Sequence, residues 1–244
     1  MFCLEKLKVF DRALTSVANL AQLSANWDQR HAVVDQLMRA SESVVLNLAE
    51  GVRLRGSPQR QHVLDYSIGS ALECAACLDI ARLKQLVSPS NALQEKRVLC
   101  EVVKMLYGLR RSWASDQLQE GSAEYEVEES WLFAHERLEA YQESLHVMEW
   151  FDALPGGAEL SSRWFRQIDK ASTSVVLNIA EGNGRRIEAD HRNFLELAES
   201  SVLKVCTYIQ LCERSGVIKV ESARGGLVLL DRVALLVRGL ARNT

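Results

Sequence analysis

The chain has 244 residues, 48% hydrophobic and 25% charged, with a formal net charge of −3. That balance suits a soluble globular protein and argues against a strongly basic nucleic-acid binder. No run approaches about 18 uninterrupted apolar residues, so no membrane span is expected, and charges at Glu5, Lys6 and Lys8 speak against a secretory signal. The predicted location is the cytoplasm.

Strand signals are scarce, whereas apolar residues recur at helical spacing throughout. The first four predicted helices cover residues 3–24, 29–50, 58–87 and 91–115. The second carries Leu37, Val44, Val45, Leu46 and Leu48 on a broad face, and the third carries Val63, Leu64, Ile68, Ala71, Leu72, Ala75 and Leu78. Faces this wide suit bundle helices that touch two neighbours. Ser57-Pro58 reads as an N-cap followed by an N1 proline. Gly51 reads as a left-handed C′ residue closing the second helix. Residues 117–129, with Gly121-Ser122 and several glutamates, read as a linker. Four more helices are predicted at 130–153, 159–181, 189–214 and 219–241, with Gly182 as the second C′ residue.

The two sets of four are copies. Ser43-Val-Val-Leu-Asn-Leu-Ala-Glu-Gly51 returns as Ser174-Val-Val-Leu-Asn-Ile-Ala-Glu-Gly182, 131 positions later with one change. At the same offset Phe10 meets Tyr141, Leu64 meets Leu195, and Gly108-Leu109 meets Gly239-Leu240. A period this long is a duplicated domain rather than a solenoid, whose repeat is roughly 20–50 residues. The expected architecture is all-α: two tandem up-down-up-down four-helix bundles, 1–116 and 130–244, each burying its own core. The first 121 residues carry 15 Lys and Arg against 13 Asp and Glu, the remainder 14 against 19, so the second copy is the acidic one.

Cysteines at 3, 74, 77, 100, 206 and 212 show no matched spacing between copies. Cys74-Ala-Ala-Cys77 has the spacing of a redox pair but lies inside an apolar helix, and Val205 and Tyr208 replace it in the second copy. It reads as two core thiols. Histidines form no ligand spacing with the cysteines, and neither a metal nor a cofactor is expected.

Two polar constellations recur. Asn47, Glu50 and Gly51, with Asn178, Glu181 and Gly182, read as a structural motif that hydrogen-bonds the turn and the amides opening the next helix; a carboxylate site is the competing reading. Arg53, Arg55 and Arg60, with Arg185, Arg186 and Arg192, gather at the turn between second and third helices. They read either as a solvated helix end or as an edge that binds phosphates or an acidic partner. Arg110 and Arg111 read as cations complementing a helix C-terminus.

The run Asn178-Ile-Ala-Glu-Gly-Asn-Gly-Arg-Arg186, followed by His191-Arg-Asn-Phe-Leu195, resembles the small four-helix-bundle proteins encoded in 23S rRNA intervening sequences. The first copy keeps Asn47-Leu-Ala-Glu-Gly51 and Arg53, and Met105-Leu-Tyr-Gly-Leu-Arg110 is similar to the family's closing helix. That family includes the accessory variability determinant of diversity-generating retroelements. The resemblance implies a non-enzymatic bundle, and its retroelement members form pentameric rings and associate with a reverse transcriptase and nucleic acid through basic surfaces. By that route the expectation is an adaptor with a protein partner, with nucleic acid contacting the basic turns. The alternative is a self-assembling scaffold with no nucleic-acid role. Since each chain carries two modules, the expected state is a monomeric pseudo-dimer or an assembly with an even number of modules.

Overall fold

The computed structural model describes residues 7–54, 57, 59–115, 131–158 and 161–242. Among these it contains helices and turns only: α1 (Lys8–Ser24), α2 (Ala32–Arg53), α3 (Gln59–Leu83) and α4 (Pro89–Ser115), then a 3-10 turn (Ala134–Arg137), α5 (Glu139–Asp152), α6 (Arg163–Asn183), α7 (Glu188–Arg214) and α8 (Val220–Arg242). Helices α1–α4 close on one another in a ring of neighbours, and α5–α8 do the same. The chain is two tandem four-helix bundles. The expected linker lies within residues 116–130, outside the described residues.

Local chemistry sets the helix ends. Ser162 Oγ accepts the Phe165 amide at 3.1 Å and caps α6, and Ser57 Oγ accepts the Gln59 amide at 3.3 Å before α3. Helices α3 and α7 stop in the same way at equivalent positions. Gln85 (φ 57°) and Gly216 (φ 69°) both enter the left-handed region. The next amide then reaches back over the turn, Leu86 to Ala81 O at 2.9 Å and Val217 to Cys212 O at 2.8 Å. The duplication preserved this geometry even where glutamine stands for glycine.

The repeated motif works differently from the sequence expectation. Gly51 and Gly182 lie inside α2 and α6, neither with positive φ. Glycine is needed there for close approach: a Cβ on Gly51 would stand 3.0 Å from the Trp113 ring, and one on Gly182 3.0 Å from Phe194 Cβ. Asn47 and Asn178 do not reach the next helix. Asn47 Nδ2 donates to Ser43 O and Ser43 Oγ, both at 2.9 Å, and Asn178 does the same to Ser174. Each asparagine thereby orients a serine whose hydroxyl bonds across to the following helix, Ser43 to Ser70 at 2.8 Å and Ser174 to Ser201 at 3.0 Å.

The two copies diverge most in their third helix. From Val63 to Ala81 every residue of α3 except Tyr66 and Glu73 is buried, because α3 packs on α2, α4 and also α6 of the other bundle. Small residues Gly69, Ser70, Ala71, Cys74, Ala75, Ala76 and Cys77 allow three neighbours to approach one helix. Its counterpart α7 buries one stripe, Leu195, Ala198, Val202, Val205, Ile209 and Cys212. The two interiors therefore join through α3 and α6 into a continuous apolar core, rather than each sealing itself as expected.

Candidate functional site

The most unusual chemistry of the molecule lies along the seam where the second bundle meets α3. Three polar clusters stand there, spaced from the start of α3 to its end.

The first surrounds Arg185. Its guanidinium, 8% exposed as a residue, pairs with Glu181 and lies 4.5 Å from the Tyr66 ring and 4.7 Å from the Phe194 ring. Tyr66 belongs to α3, so the cation–π contact holds Arg185 across the seam while Glu181, four residues earlier, fixes the guanidinium by charge. Close backbone approach makes the pocket. A Cβ on Gly184 would stand 2.9 Å from Leu72 Cδ1 and 3.1 Å from Gly69 Cα. Glu73 shares this pocket, and burial and the Glu181 carboxylate push its pKa up to about 8.

The second cluster is a charge triad. Lys84 Nζ lies 2.7 Å from Asp169 Oδ1 and 3.0 Å from Asp152 Oδ1, its side chain 1% exposed. Asp169 Oδ2 also accepts the Ala32 amide at 2.8 Å. Helix α2 has no side-chain cap of its own, so a carboxylate from the other bundle caps it. Burial would raise the Asp169 carboxyl; His31, Lys84 and the Ala32 amide outweigh burial and hold it below the usual range.

The third cluster joins α3, α4 and the 3-10 turn. Lys96 Nζ lies 2.7 Å from Asp79 and pairs with Glu136, and the Tyr141 hydroxyl donates to Asp79 at 2.9 Å. His135 is fully buried and neutral, since burial lowers its pKa to about 3. It stacks on Phe133 and meets Tyr141 edge-on. Asp79, His135 and Glu136 are the one group of metal-capable donors close to one another among the described residues. Lys96 stands among their oxygens, pairs with both carboxylates and offsets one of their two charges, so the cluster is a buried ion network.

The arginines singled out in the sequence do not form one edge. Arg110 is buried in α4, short of its last turn, bonded to Asp65 at 2.5 Å and 4.7 Å from the Tyr107 ring. Arg60 lies 3.4 Å over Trp113 and donates to Gly51 O at 3.0 Å. Arg185 belongs to the seam. Arg53 and Arg192 are exposed and paired with Glu50 and Glu188. Arg111 and Arg186 are exposed, and Arg55 lies outside the described residues. The two motif glutamates also part company: Glu181 is spent on Arg185, whereas Glu50 stays on the surface. Cys74 and Cys77 are fully buried free thiols, and burial, with the Glu73 charge, pushes both well above the ordinary thiol range.

The family model of the 23S rRNA-intervening sequence protein matches residues 5–108 and again 136–239, an offset equal to that of the internal repeat. The chain belongs to this family. It carries the family unit twice, and each match spans most of one bundle. No curated protein and no solved structure matches the chain. Family membership accounts for the duplicated bundle and its Asn–Ser links. The charged seam is where the two family units of this chain differ from each other. No helix among the described residues is long and apolar enough to cross a membrane.

Proposed function

We propose that the protein is a non-enzymatic cytoplasmic scaffold, whose work is to present helical faces to other macromolecules. One contrast supports this reading. The charged groups of the seam are buried and each is engaged by an ion pair or a ring contact inside the chain, while large apolar side chains stand in solvent on the outer helices: Leu197, Leu203 and Leu211 on α7, Val228 and Leu235 on α8. A catalytic site needs a reactive group left accessible; an interaction module needs an apolar patch left uncovered. The partner is then a protein, in the manner of a reverse transcriptase for its retroelement relatives. Nucleic acid is a lesser partner in this reading, because Arg60, Arg110 and Arg185 are engaged in packing and Arg53 and Arg192 are paired.

The double variant Leu203→Glu/Leu211→Glu tests the proposal. It is expected to fold and melt like the parent, because both side chains already face water, and to lose the association with a retroelement reverse transcriptase that the parent is expected to show. Unchanged association would overturn the assignment of this face. Tight binding of single-stranded RNA or DNA by the parent, falling with salt at the slope of many phosphate contacts, would overturn the priority given to protein over nucleic acid.

A further inference from the structure

In the third cluster of the seam, each of the two buried carboxylates leaves one oxygen for a cation. Asp79 Oδ2 accepts the Tyr141 hydroxyl at 2.9 Å, and Glu136 Oε2 accepts the Leu132 and Phe133 amides at 2.9 and 3.1 Å. These donors are neutral, so they fix the carboxylates without balancing their charge. The other two oxygens, Asp79 Oδ1 and Glu136 Oε1, both face Lys96 Nζ. The contact to Glu136 Oε1 is an ion pair with no hydrogen bond. One ammonium between two carboxylates leaves the group with one negative charge in excess, and burial makes such an excess costly.

His135 is the group that this network leaves out. It is 0% exposed, yet neither ring nitrogen has a hydrogen-bond partner among the described residues. A neutral imidazole carries one N–H and one lone pair, and leaving both unsatisfied in the interior costs free energy. One ligand atom from each of Asp79, His135 and Glu136 lies within 4.8 Å of the other two. Tetrahedral bonds of about 2.0–2.2 Å set ligand atoms roughly 3.5 Å apart, so the three side chains need to close by little more than an ångström. A cavity of about 250 Å³ opens onto the same cluster. Asp79, Lys96 and Glu136 line its buried part, and Leu93 and Trp131, both exposed, line its mouth.

We propose that Asp79, His135 and Glu136 hold a Zn²⁺ ion, with Lys96 as its competitor for the two carboxylates. Zn²⁺ takes imidazole nitrogen and carboxylate oxygen together, whereas Mg²⁺ and Ca²⁺ prefer oxygen alone, so the imidazole selects. A divalent ion matches the charge of both carboxylates, engages the lone pair of His135, and leaves its fourth position to a water from the cavity. Lys96 then turns its ammonium out through the cavity mouth on its flexible apolar stem. The role is structural. Asp79 stands on α3 of the first bundle, and His135 and Glu136 stand on the 3-10 turn that leads into α5 of the second, so the ion ties the two bundles together. Duplication did not supply the site: at the 131-residue offset Gln210 stands for Asp79, Leu4 for His135 and Leu227 for Lys96. It exists only where one bundle meets the next, and it holds whichever partner the scaffold takes.

Zn²⁺ itself, added to the chelator-treated full chain, tests the site by titration calorimetry and by melting. A single ion per chain is expected, with a melting temperature that rises with free Zn²⁺ as binding to the folded state requires. His135→Gln should weaken binding by more than the roughly 10–100-fold that loss of an outer-shell group costs. Lys96→Met should melt below the parent without Zn²⁺ and regain stability with it. It should also bind at least about tenfold tighter, because a unit positive charge no longer opposes the ion. Equal binding by the parent and a folded His135→Gln would place the ion elsewhere on the chain and overturn the proposal. Neither heat nor a melting shift from the parent in a large excess of Zn²⁺ would overturn it, and binding confined to Lys96→Met would do the same by making the lysine the permanent occupant. Where His135→Gln fails to fold, NMR of the parent decides: the His135 imidazole resonances must move on adding Zn²⁺, and unmoved resonances overturn the site.

Discussion

Replacing Lys84 by methionine keeps the length and apolar stem of the side chain and removes its charge. In the parent that charge lies 2.7 Å from Asp169 and 3.0 Å from Asp152, with the Lys84 and Asp169 side chains each 1% exposed. Leaving a buried carboxylate without its cation costs about 3–5 kcal/mol. For a chain of this size each kcal/mol moves the melting temperature by roughly 2–4 °C, so Lys84→Met is expected to melt roughly 6–20 °C lower by calorimetry at neutral pH. The pH dependence gives a second readout. Asp169 in the parent is held below its usual range, so its contribution is present above the unfolded pKa and is lost as pH falls through the folded one. Without Lys84 only His31 and the Ala32 amide still oppose burial, so the folded carboxyl rises from its parent value. The Asp169 contribution at neutral pH then shrinks, and the variant's stability falls less steeply with acid than the parent's. Asp169→Asn placed in the Lys84→Met background removes the stranded charge and should recover part of the loss. A Lys84→Met variant within about 1 kcal/mol of the parent, with the parent's pH profile, would refute the idea that this triad clamps the bundles.

Glu73, pushed up to about 8, favours the fold in its protonated form. Its contribution is present below the unfolded carboxyl pKa and lost as pH rises through 8; Glu73→Gln should flatten that slope and raise stability at pH 8–9 by up to a few kcal/mol in urea titrations. Gly184→Leu drives a side chain into Leu72 and Gly69 and should cost about 1–3 kcal/mol, or more where the seam cannot shift. Gln85→Gly relieves a left-handed non-glycine residue and should stabilise by about 0.5–1 kcal/mol, measured as a higher urea midpoint. Cys74 and Cys77 should react with an aromatic disulfide reagent only after denaturation, since neither thiol is exposed or readily ionised.

Much of the architecture was legible because duplication writes itself as identity at a fixed offset, and because amphipathic spacing marks helices whatever they pack against. Helix bounds in the second copy differ by only a few residues from those observed, except that the helix expected from 130 begins at Glu139, after the 3-10 turn at Ala134–Arg137. The roles of Asn47 and Gly51 were harder to read. A glycine near the end of an apolar run looks the same whether it turns left-handed or lets Trp113 lie on the helix, and an asparagine four residues after a serine has two plausible partners. The sequence places Arg185 with the arginines of the basic turn, as a solvated helix end or a phosphate- or acid-binding edge, because nothing local announces that Tyr66, 119 positions earlier, lies beneath it. The seam itself was missed for a related reason: identical leucines at 46 and 177 carry no mark of which one another bundle covers. A signal did exist in the comparison of the two third helices. Gly69 through Ala81 is rich in small residues (Gly69, Ser70, Ala71, Ala75, Ala76 and Ala81), whereas Ser200 through Cys212 carries the exposed Leu203, Lys204 and Leu211. That asymmetry is what an extra neighbour on α3 requires.

Native-state hydrogen exchange along α3 and α6 tests the central claim most directly, that two family bundles are locked into one body through a shared seam. If the account holds, amides in the middle of both helices exchange slowest in the chain, with the same opening free energy, and Lys84→Met lowers both together. Protection that falls into two independent sets, α1–α4 opening at one free energy and α5–α8 at another, with α6 untouched by the Lys84 substitution, would contradict it.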